Sequence, residues 1–428
     1  MQFEEFLRRR SVSPAVSYCL LMAALCAALL TIFMFFLGNS SRFDNRRKRR
    51  TAPPFIISNP ERHLYILGKT GTGKSQILLS LLHQTIKTGL GCAFIDPHGD
   101  TARQLLEHIP KWRQKDVIYF NPADTEQPLG FNLLQSSSPS EIVDAFHSVF
   151  SEIGWGAQME MFLNASLSAL SFKPDGTLLG INKMFTDERF RKRVISYVTD
   201  SGIRYFWEHD FKHMPDREQR ERSLSTLNKV GLFITDYRLR NILGQPHTSF
   251  TIKDNTILIA NLSQGQLGQR KSALLASLLL SHLHSFALKR QFRMLFPIVL
   301  DEFQLYGALT LTDMLSGIRK FGVSLIMANQ SLTQLPLPLR SAILANVDTI
   351  CTLQTGPDDA KALEPLFHED IVDLPAHHAL VRSGTEVTKI HVPEFQARRR
   401  DPRPIIRRCR ALSPGRKSVE ARLRRYLL

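Results

Sequence analysis

Short, continuously apolar segments that end in polar or acidic residues recur along this chain. Buried strands of a parallel sheet give such runs, whereas amphipathic helices place apolar residues three and four positions apart. Both patterns alternate on either side of a long stretch that is purely helical in character. The sequence therefore predicts an α/β fold with a mostly parallel sheet, whose strands lie near 63–67, 91–95, 117–120, 256–260, 297–300, 322–328, 348–353 and 379–381.

The strand-like runs disappear between residues 139 and 247. Apolar positions recur there at helical spacing, and charged residues occupy the other faces. We predict an all-helical domain that is inserted between the early and the late strands. Aromatic residues within it, such as Trp155 and Trp207, are expected to pack in its core rather than to stack on bases.

Residues 11–41 contain no charged side chain, and 15–37 are almost continuously apolar. A transmembrane helix needs about 20 such residues, so this length favours a membrane span. A signal peptide is the alternative, although its apolar region usually has ~7–15 residues. Six basic residues follow within 42–50. By the positive-inside tendency, they predict a single-pass membrane protein whose body lies in the cytoplasm.

The formal net charge of +16 is concentrated in three segments, 1–10, 42–50 and 397–428, with +1, +5 and +10. Residues 51–396 are therefore neutral overall, so a strongly basic outer face is not predicted for the body. We expect the Arg-rich segment 397–428 to be a mobile arm that contacts nucleic acid or anionic lipid. Five scattered cysteines provide neither a disulfide framework nor a zinc site.

The segment Gly68-Lys69-Thr70-Gly71-Thr72-Gly73-Lys74-Ser75 matches G-x-x-x-x-G-K-[ST] and lies between a predicted strand and a predicted helix. Its glycines allow backbone N–H groups to approach phosphate oxygens, and the helix N-terminus adds the positive end of its dipole. Lys74 is expected to contact the β- and γ-phosphates, and the Ser75 hydroxyl to ligate Mg²⁺. The loop predicts a nucleotide site for ATP and Mg²⁺.

Two predicted strands end in carboxylates. The run 297–300 ends in Asp301 and Glu302. We expect Asp301 to bind Mg²⁺ directly or through water, and Glu302 to act as general base on the attacking water. The run 91–95 is followed by Asp96 and Asp100, which could steer water or metal, or could cap the next helix.

Two further side chains are candidates on weaker grounds. Gln330 follows the predicted strand 322–328 and could sense the γ-phosphate, although a simple turn residue is the alternative. Arg319 ends a predicted helix and could stabilise transition-state charge, including that in a neighbouring subunit. Spacing alone favours a solvated charge for Arg319.

These motifs together resemble the HerA/FtsK superfamily of motor ATPases, and more closely the TraD-like coupling proteins of conjugation and type IV secretion. The resemblance covers about residues 60–385 and rests on 68–75, 96–100, 300–303, 319–322, 328–330, 346–349 and 356–360. It implies a RecA-like P-loop fold of the additional-strand catalytic-glutamate class, with an inserted helical domain. It also implies a homo-hexameric ring that holds ATP between subunits, with Arg319 as the finger acting in trans and Gln330 as the sensor.

The resemblance further implies a motor that is anchored in the bacterial inner membrane and moves DNA or a DNA–protein complex, with type IV secretion or relaxosome proteins as partners. One membrane segment is evident here, whereas coupling proteins commonly have two. An ATPase that energises protein secretion or channel assembly stays open as an alternative, as does a scaffold that does not act as a motor. Cargo, DNA strandedness and polarity, oligomer number and the ligand of the basic tails are left open by the sequence.

These patterns divide the chain into seven predicted parts. They are an N-terminal tail (1–14), a transmembrane helix (15–37), a basic linker (38–54), the first part of the nucleotide-binding domain (55–138), the helical insertion (139–247), the second part of the nucleotide-binding domain (248–396) and an Arg-rich tail (397–428).

Overall fold

The structure is a computed structural model that describes residues 61–427 apart from 152–153 and 292–293, and all of these belong to one compact unit, Pro54–Leu428. Its strands are β1 Leu64–Leu67, β2 Cys92–Asp96, β3 Val117–Phe120, β4 Ile257–Asn261, β5 Phe296–Asp301, β6 Val323–Asn329, β7 Thr349–Thr352, β8 His378–Ser383 and β9 Glu386–His391. They form one sheet in the order β3-β4-β2-β5-β6-β1-β7-β8-β9. Strands β1 to β7 are parallel, whereas β8 and β9 continue the sheet as an antiparallel hairpin.

The predicted mostly parallel α/β sheet is thus confirmed. Every residue of β1 to β7 is buried. Helices cover both faces of these strands, and this explains why their sequences are continuously apolar. The hairpin β8–β9 lies at the edge of the sheet and is only partly buried.

The helices follow in chain order, with α1 and α2 among the first three strands, α3 to α9 between β3 and β4, and the others after β4. They are α1 Lys74–Lys87, α2 Asp100–Leu106, α3 Pro139–Phe150, α4 Ala157–Ser171, α5 Gly180–Thr186, α6 Glu188–Ile195, α7 Ser201–Tyr205, α8 Asp216–Thr235, α9 Tyr237–Leu243, α10 Gln264–Leu267, α11 Gln269–Lys289, α12 Ala308–Gly317, α13 Leu337–Asn346, α14 Pro357–Phe367, α15 Arg403–Arg410 and α16 Arg416–Leu427. Short 3₁₀ turns occur at Lys111–Asp116, Leu133–Gln135, Phe303–Leu305, Ile318–Phe321 and Leu332–Gln334, and a π-helical turn at Phe206–Phe211.

The two faces of the sheet belong to two hydrophobic cores. Leu64 and Ile66 of β1 pack with α1 and α2 on one face. Tyr65 and Leu67 point to the other face, where α11, α12 and the helices between β3 and β4 contribute to the larger core. The alternation follows from the two-residue period of a strand.

Helices α3 to α9 occupy the stretch for which the sequence predicts a helical insertion. Two adjacent chain segments form its stem, where the N–H of Phe131 donates to the carbonyl of Ile242 (3.0 Å). The Asn132 amide donates to the carbonyls of Gly176 and Pro246, each at 2.8 Å. Trp207 is buried and Trp155 is partly buried against the core, as expected for structural aromatic residues.

The Arg-rich segment 397–428 is not a mobile arm in its described part, so that expectation is wrong. It folds into α15 and α16, which lie against β3 and α9. Apolar residues four positions apart give each helix a buried stripe, which the high arginine content obscures in the sequence. The members of the two stripes are Ile405 and Cys409, and Val419 and Leu423.

No helix within the described residues is long and apolar enough to span a membrane. The predicted transmembrane helix at 15–37 and the basic linker at 38–54 lie outside the described residues.

Candidate functional site

The glycine-rich loop joins β1 to α1 at the carboxyl edge of the sheet, where β1 to β7 end. Gly71 and Gly73 have φ angles of 82° and 118°, which residues with a side chain adopt only at a cost. Gly73 is the N-cap of α1 and no side chain caps this helix. Within the described residues, nothing accepts a hydrogen bond from the N–H groups of residues 70, 71, 73, 74 and 75. The loop therefore presents a row of free donors, which is the arrangement that binds phosphate.

Lys74 is buried at the base of this loop. Its Nζ donates to the carbonyl oxygens of Gly68 (2.6 Å) and Lys69 (3.3 Å). Burial lowers the pKa of Lys74, and the nearby carboxylates of Glu302 and Asp301 oppose this change. The ammonium group is thus held by the loop itself, beside two acids.

Asp301 is the last residue of β5 and is buried. Burial raises the pKa of Asp301 to about 7, and the carboxylates of Asp96 and Glu302 act in the same direction. Its Oδ1 accepts the backbone N–H of Glu302 (3.1 Å). Because few hydrogen bonds offset the cost of burying this carboxylate, a cation beside it would stabilise its charged form.

Glu302 has a left-handed backbone conformation, with φ 46° and ψ 49°. This conformation is uncommon for a residue with a long side chain. The turn places its carboxylate between two amides: Gln330 Nε2 donates to Oε1 (2.9 Å) and Gln304 Nε2 donates to Oε2 (2.7 Å). The acid is therefore fixed in position by residues from two different strand ends.

The structure brings Gln330 into the site, in direct contact with Glu302. Its neighbour Asn329 is the last residue of β6, and its side chain accepts from the Tyr65 hydroxyl (2.8 Å) and donates to the Ser331 carbonyl (2.7 Å). Asn329 therefore anchors the segment that presents Gln330. The sequence did not identify Gln304, although it lies two residues after the predicted base.

Asp96 and Asp100, for which two interpretations were open, both make contacts at the start of α2. Both carboxylate oxygens of Asp96 accept backbone N–H groups, those of His98 and Ala102, at 2.8 Å. Asp96 thus closes the turn that begins α2. Asp100 is exposed and pairs with Arg103 on the same helix. The helix-capping alternative describes Asp96, which still contributes negative charge beside Asp301.

Arg319 is not brought to the site of its own subunit. It is exposed on the 3₁₀ turn Ile318–Phe321, which precedes β6. This turn lies at the amino edge of the sheet, opposite the glycine-rich loop. Any contact of Arg319 with a nucleotide would have to be made in another subunit.

A cavity of about 230 Å³ lies over the loop. Among the predicted site residues it is lined by Thr70, Gly71, Gly73, Lys74, Ser75, Asp301, Glu302 and Gln330; Gln76, His98 and His377 also line it. His377 has φ 60°, and its N–H donates to the carbonyl of Thr72 (3.2 Å), so it packs on the loop from the opposite end of the chain. No signal in the sequence singled out His377, because two adjacent histidines, His377 and His378, in front of a short strand match no motif.

The residues present fit a magnesium ion. Ser75 and Asp301 line the same cavity, and hydroxyl and carboxylate oxygens are suitable ligands. No cluster of three or more His, Cys, Asp or Glu side chains arranged for metal occurs in residues 61–427 as described. Mg²⁺ in nucleotide sites commonly has one or two protein ligands and takes the others from phosphates and water, so two ligands are sufficient.

Comparison with known proteins places this geometry in a family. The family model described as "Helicase HerA, central domain" matches residues 57–283. The bacterial conjugative coupling protein TrwBΔN70 has a similar structure, with a TM-score of 0.58 and 17% identity over 81% of this chain and 89% of that chain. The plasmid coupling protein TrwB in complex with ADP and Mg²⁺ gives 0.57 and 17%, over 83% of this chain and 92% of that chain.

VirB4 of Thermoanaerobacter pseudethanolicus gives a TM-score of 0.52 and 18% identity, over 78% of this chain and 89% of that chain. No curated protein matches the chain. At these identities the solved structures establish the fold alone, which is that of these P-loop proteins. The family match spans more than half of the chain and confirms the resemblance drawn from the motifs: this chain belongs to the HerA central-domain family.

Proposed function

We propose that this protein is a Mg²⁺-dependent ATPase. The observation that carries the proposal is Glu302, which two amides hold at the phosphate-binding loop beside Asp301. A protein that only binds nucleotide has no use for a positioned carboxylate at this point. TrwB, whose fold this chain shares, has been solved with ADP and Mg²⁺.

The residues at the site have separate roles in ATP hydrolysis. The free N–H groups of the loop and the Lys74 ammonium hold the β- and γ-phosphates and offset their charge. Glu302 accepts the proton of the attacking water, and Gln330 keeps this carboxylate in place and lies where it can respond to the γ-phosphate. Ser75 and Asp301 hold Mg²⁺, which supplies Lewis-acid stabilisation of the phosphate oxygens.

The work done with this energy is, in our proposal, the translocation of DNA or a DNA–protein complex in conjugation or type IV secretion. The family and the fold support it, because a coupling protein of conjugation shares this fold. The position of Arg319 supports a ring, because only a neighbouring subunit can use Arg319 at a nucleotide, and we propose a homo-hexamer. We further propose that residues 15–37 anchor the protein in the inner membrane, with the ATPase on the cytoplasmic side.

A second candidate is an ATPase that drives protein secretion or channel assembly without pumping DNA. The observation in its favour is charge: residues 51–396 carry no net charge, whereas DNA-binding surfaces are usually basic.

The test is ATP turnover by the full chain in lipid nanodiscs, with Mg²⁺ and with or without single- or double-stranded DNA. Lys74→Ala and Glu302→Gln should abolish turnover, and Glu302→Gln should still bind nucleotide. Stimulation by DNA that weakens as salt rises supports translocation. A turnover rate that is the same with and without DNA favours an ATPase that drives protein secretion or channel assembly. Unchanged turnover in Glu302→Gln refutes the role of Glu302 as the general base.

A further inference from the structure

The amino edge of the sheet, at which β1 to β7 begin, carries unpaired lysines in front of several strands. One precedes β2, two precede β3 and one precedes β4. All four are exposed, and within the described residues none has an ion-pair partner. We call this set the basic edge; its members are Lys87, Lys111, Lys115 and Lys253.

Acidic residues at this edge are mostly neutralised by arginines of their own neighbourhood. Asp116 pairs with the buried Arg113 at 2.9 Å, and Asp254 pairs with Arg290 at 2.7 Å. A third pair joins Arg62 to Asp348. The exposed acids that stand against the basic edge are Glu61 and Glu386. The four lysines therefore leave this edge positive, although residues 51–396 are neutral as a whole.

Large apolar side chains are exposed at the same edge of the sheet. Trp112, between Lys111 and Lys115, is 57% exposed. Leu288, in the last turn of α11, is 47% exposed, and Met294, in the connection before β5, is 56% exposed. Exposed tryptophan among lysines is typical of segments that lie at a membrane–water interface, where the ring occupies the headgroup level and the ammonium groups meet lipid phosphates.

We propose that the basic edge and Trp112 rest on an anionic lipid surface. This inference builds on the proposed membrane anchor and adds a second, reversible contact by the ATPase body. A lipid surface accounts for both kinds of side chain, whereas the phosphates of duplex DNA would engage the lysines and leave Leu288 and Met294 without a role.

The experiment uses the full chain reconstituted in vesicles of phosphatidylcholine with or without phosphatidylglycerol, with bromine on the lipid tails as a quencher of tryptophan. Trp155 and Trp207 belong to the helical insertion and serve as internal references. We expect quenching that increases with phosphatidylglycerol, decreases with salt and is lost in Trp112→Phe. Each lysine is worth about fivefold in the contact equilibrium, so Lys111→Gln with Lys115→Gln should weaken it about 30-fold.

The matched control removes two exposed charges from the helical insertion, as Lys212→Gln with Arg220→Gln, and should leave the quenching unchanged. Flotation of the vesicles after alkaline extraction shows separately whether the chain is anchored in the membrane. Chain that floats without quenching of Trp112 overturns the lipid contact and leaves the anchor standing. Chain that does not float but is quenched supports the contact and refutes the anchor. Absence of both effects, or a Trp112 response to duplex oligonucleotide instead of lipid, overturns the contact.

Discussion

The hydrogen bond from Gln330 to Glu302 provides a sharp test of the proposed catalytic arrangement. Gln330→Ala removes a 2.9 Å bond to a carboxylate, and bonds to charged groups contribute about 1.5–3 kcal/mol. The 2.7 Å bond from Gln304 to the other carboxylate oxygen remains, so we expect the loss of transition-state stabilisation to lie near the lower limit of this range. At 1.36 kcal/mol per factor of ten, kcat should fall about 10- to 30-fold.

The assay measures steady-state ATP turnover and, independently, the Kd of a fluorescent ATP analogue. Because Gln330 contacts the base and not the loop, Kd should change less than about threefold while kcat falls. Combining Gln330→Ala with Gln304→Ala frees both oxygens and should lower kcat by more than the two single losses imply. Gln334→Ala, in the same segment but remote from Glu302, is the control. If kcat of Gln330→Ala equals that of the control, the two amides do not position the base.

Three other perturbations follow from the structure. Burial lowers the pKa of His63 to about 4, below the unfolded value of 6.5, so its contribution to stability is present above pH 6.5 and about 3 kcal/mol is lost as pH drops towards 4. His83 and His282, whose pKa burial also lowers to about 4, lose stability over the same range, so urea titrations should find the total loss smaller by about 3 kcal/mol in His63→Gln, and an unchanged loss would contradict the assignment to His63. Arg113→Met removes the buried guanidinium that donates to three backbone carbonyls and to Asp116, and should lower the free energy of unfolding by about 3–5 kcal/mol. The exposed Arg217→Met should cause almost no change, and equal stabilities of the two variants would show that the Arg113 network is dispensable. Gly73→Ala places a Cβ on a residue with φ 118°, 3.3 Å from His377 Nδ1, and should weaken nucleotide binding about tenfold. The control Gly89→Ala, at φ 92° with open space around it, should affect stability alone. Identical Kd values for the two variants would contradict the proposed role of Gly73.

The chemistry at the strand ends could be predicted because it is local in sequence. The glycine-rich loop, Asp301 and Glu302 each follow an apolar run, and parallel strands bring their carboxyl ends to one edge. The same reasoning placed Gln330 near them. It could not choose between roles for Asp96, because capping of α2 depends on turn geometry that a lone aspartate does not reveal.

Contacts between distant segments escaped prediction. His377 reaches the loop from more than 300 residues away, and only the folded hairpin β8–β9 brings it there. The Arg-rich C-terminal helices were missed because composition suggested solvation, whereas two apolar residues per helix suffice to bury a stripe. Arg410 then meets Asp124 at 2.6 Å on the surface. Arginine content therefore indicates charge and does not by itself indicate disorder.

The order of strands in the sheet has a consequence for synthesis of the chain. Strands β1, β2 and β3 are made first, yet none of them is a neighbour of another in the finished sheet. Each must wait for partners from β4 to β7, the first of which begins at Ile257. At roughly 5–20 residues per second, the ribosome needs about 7–30 s to proceed from β3 to the end of β4. During that interval three apolar strands are present without partners, and β1 waits longer, because its neighbours are β6 and β7. We infer that the helical insertion, whose contacts are local, folds first on the ribosome and that the sheet forms late.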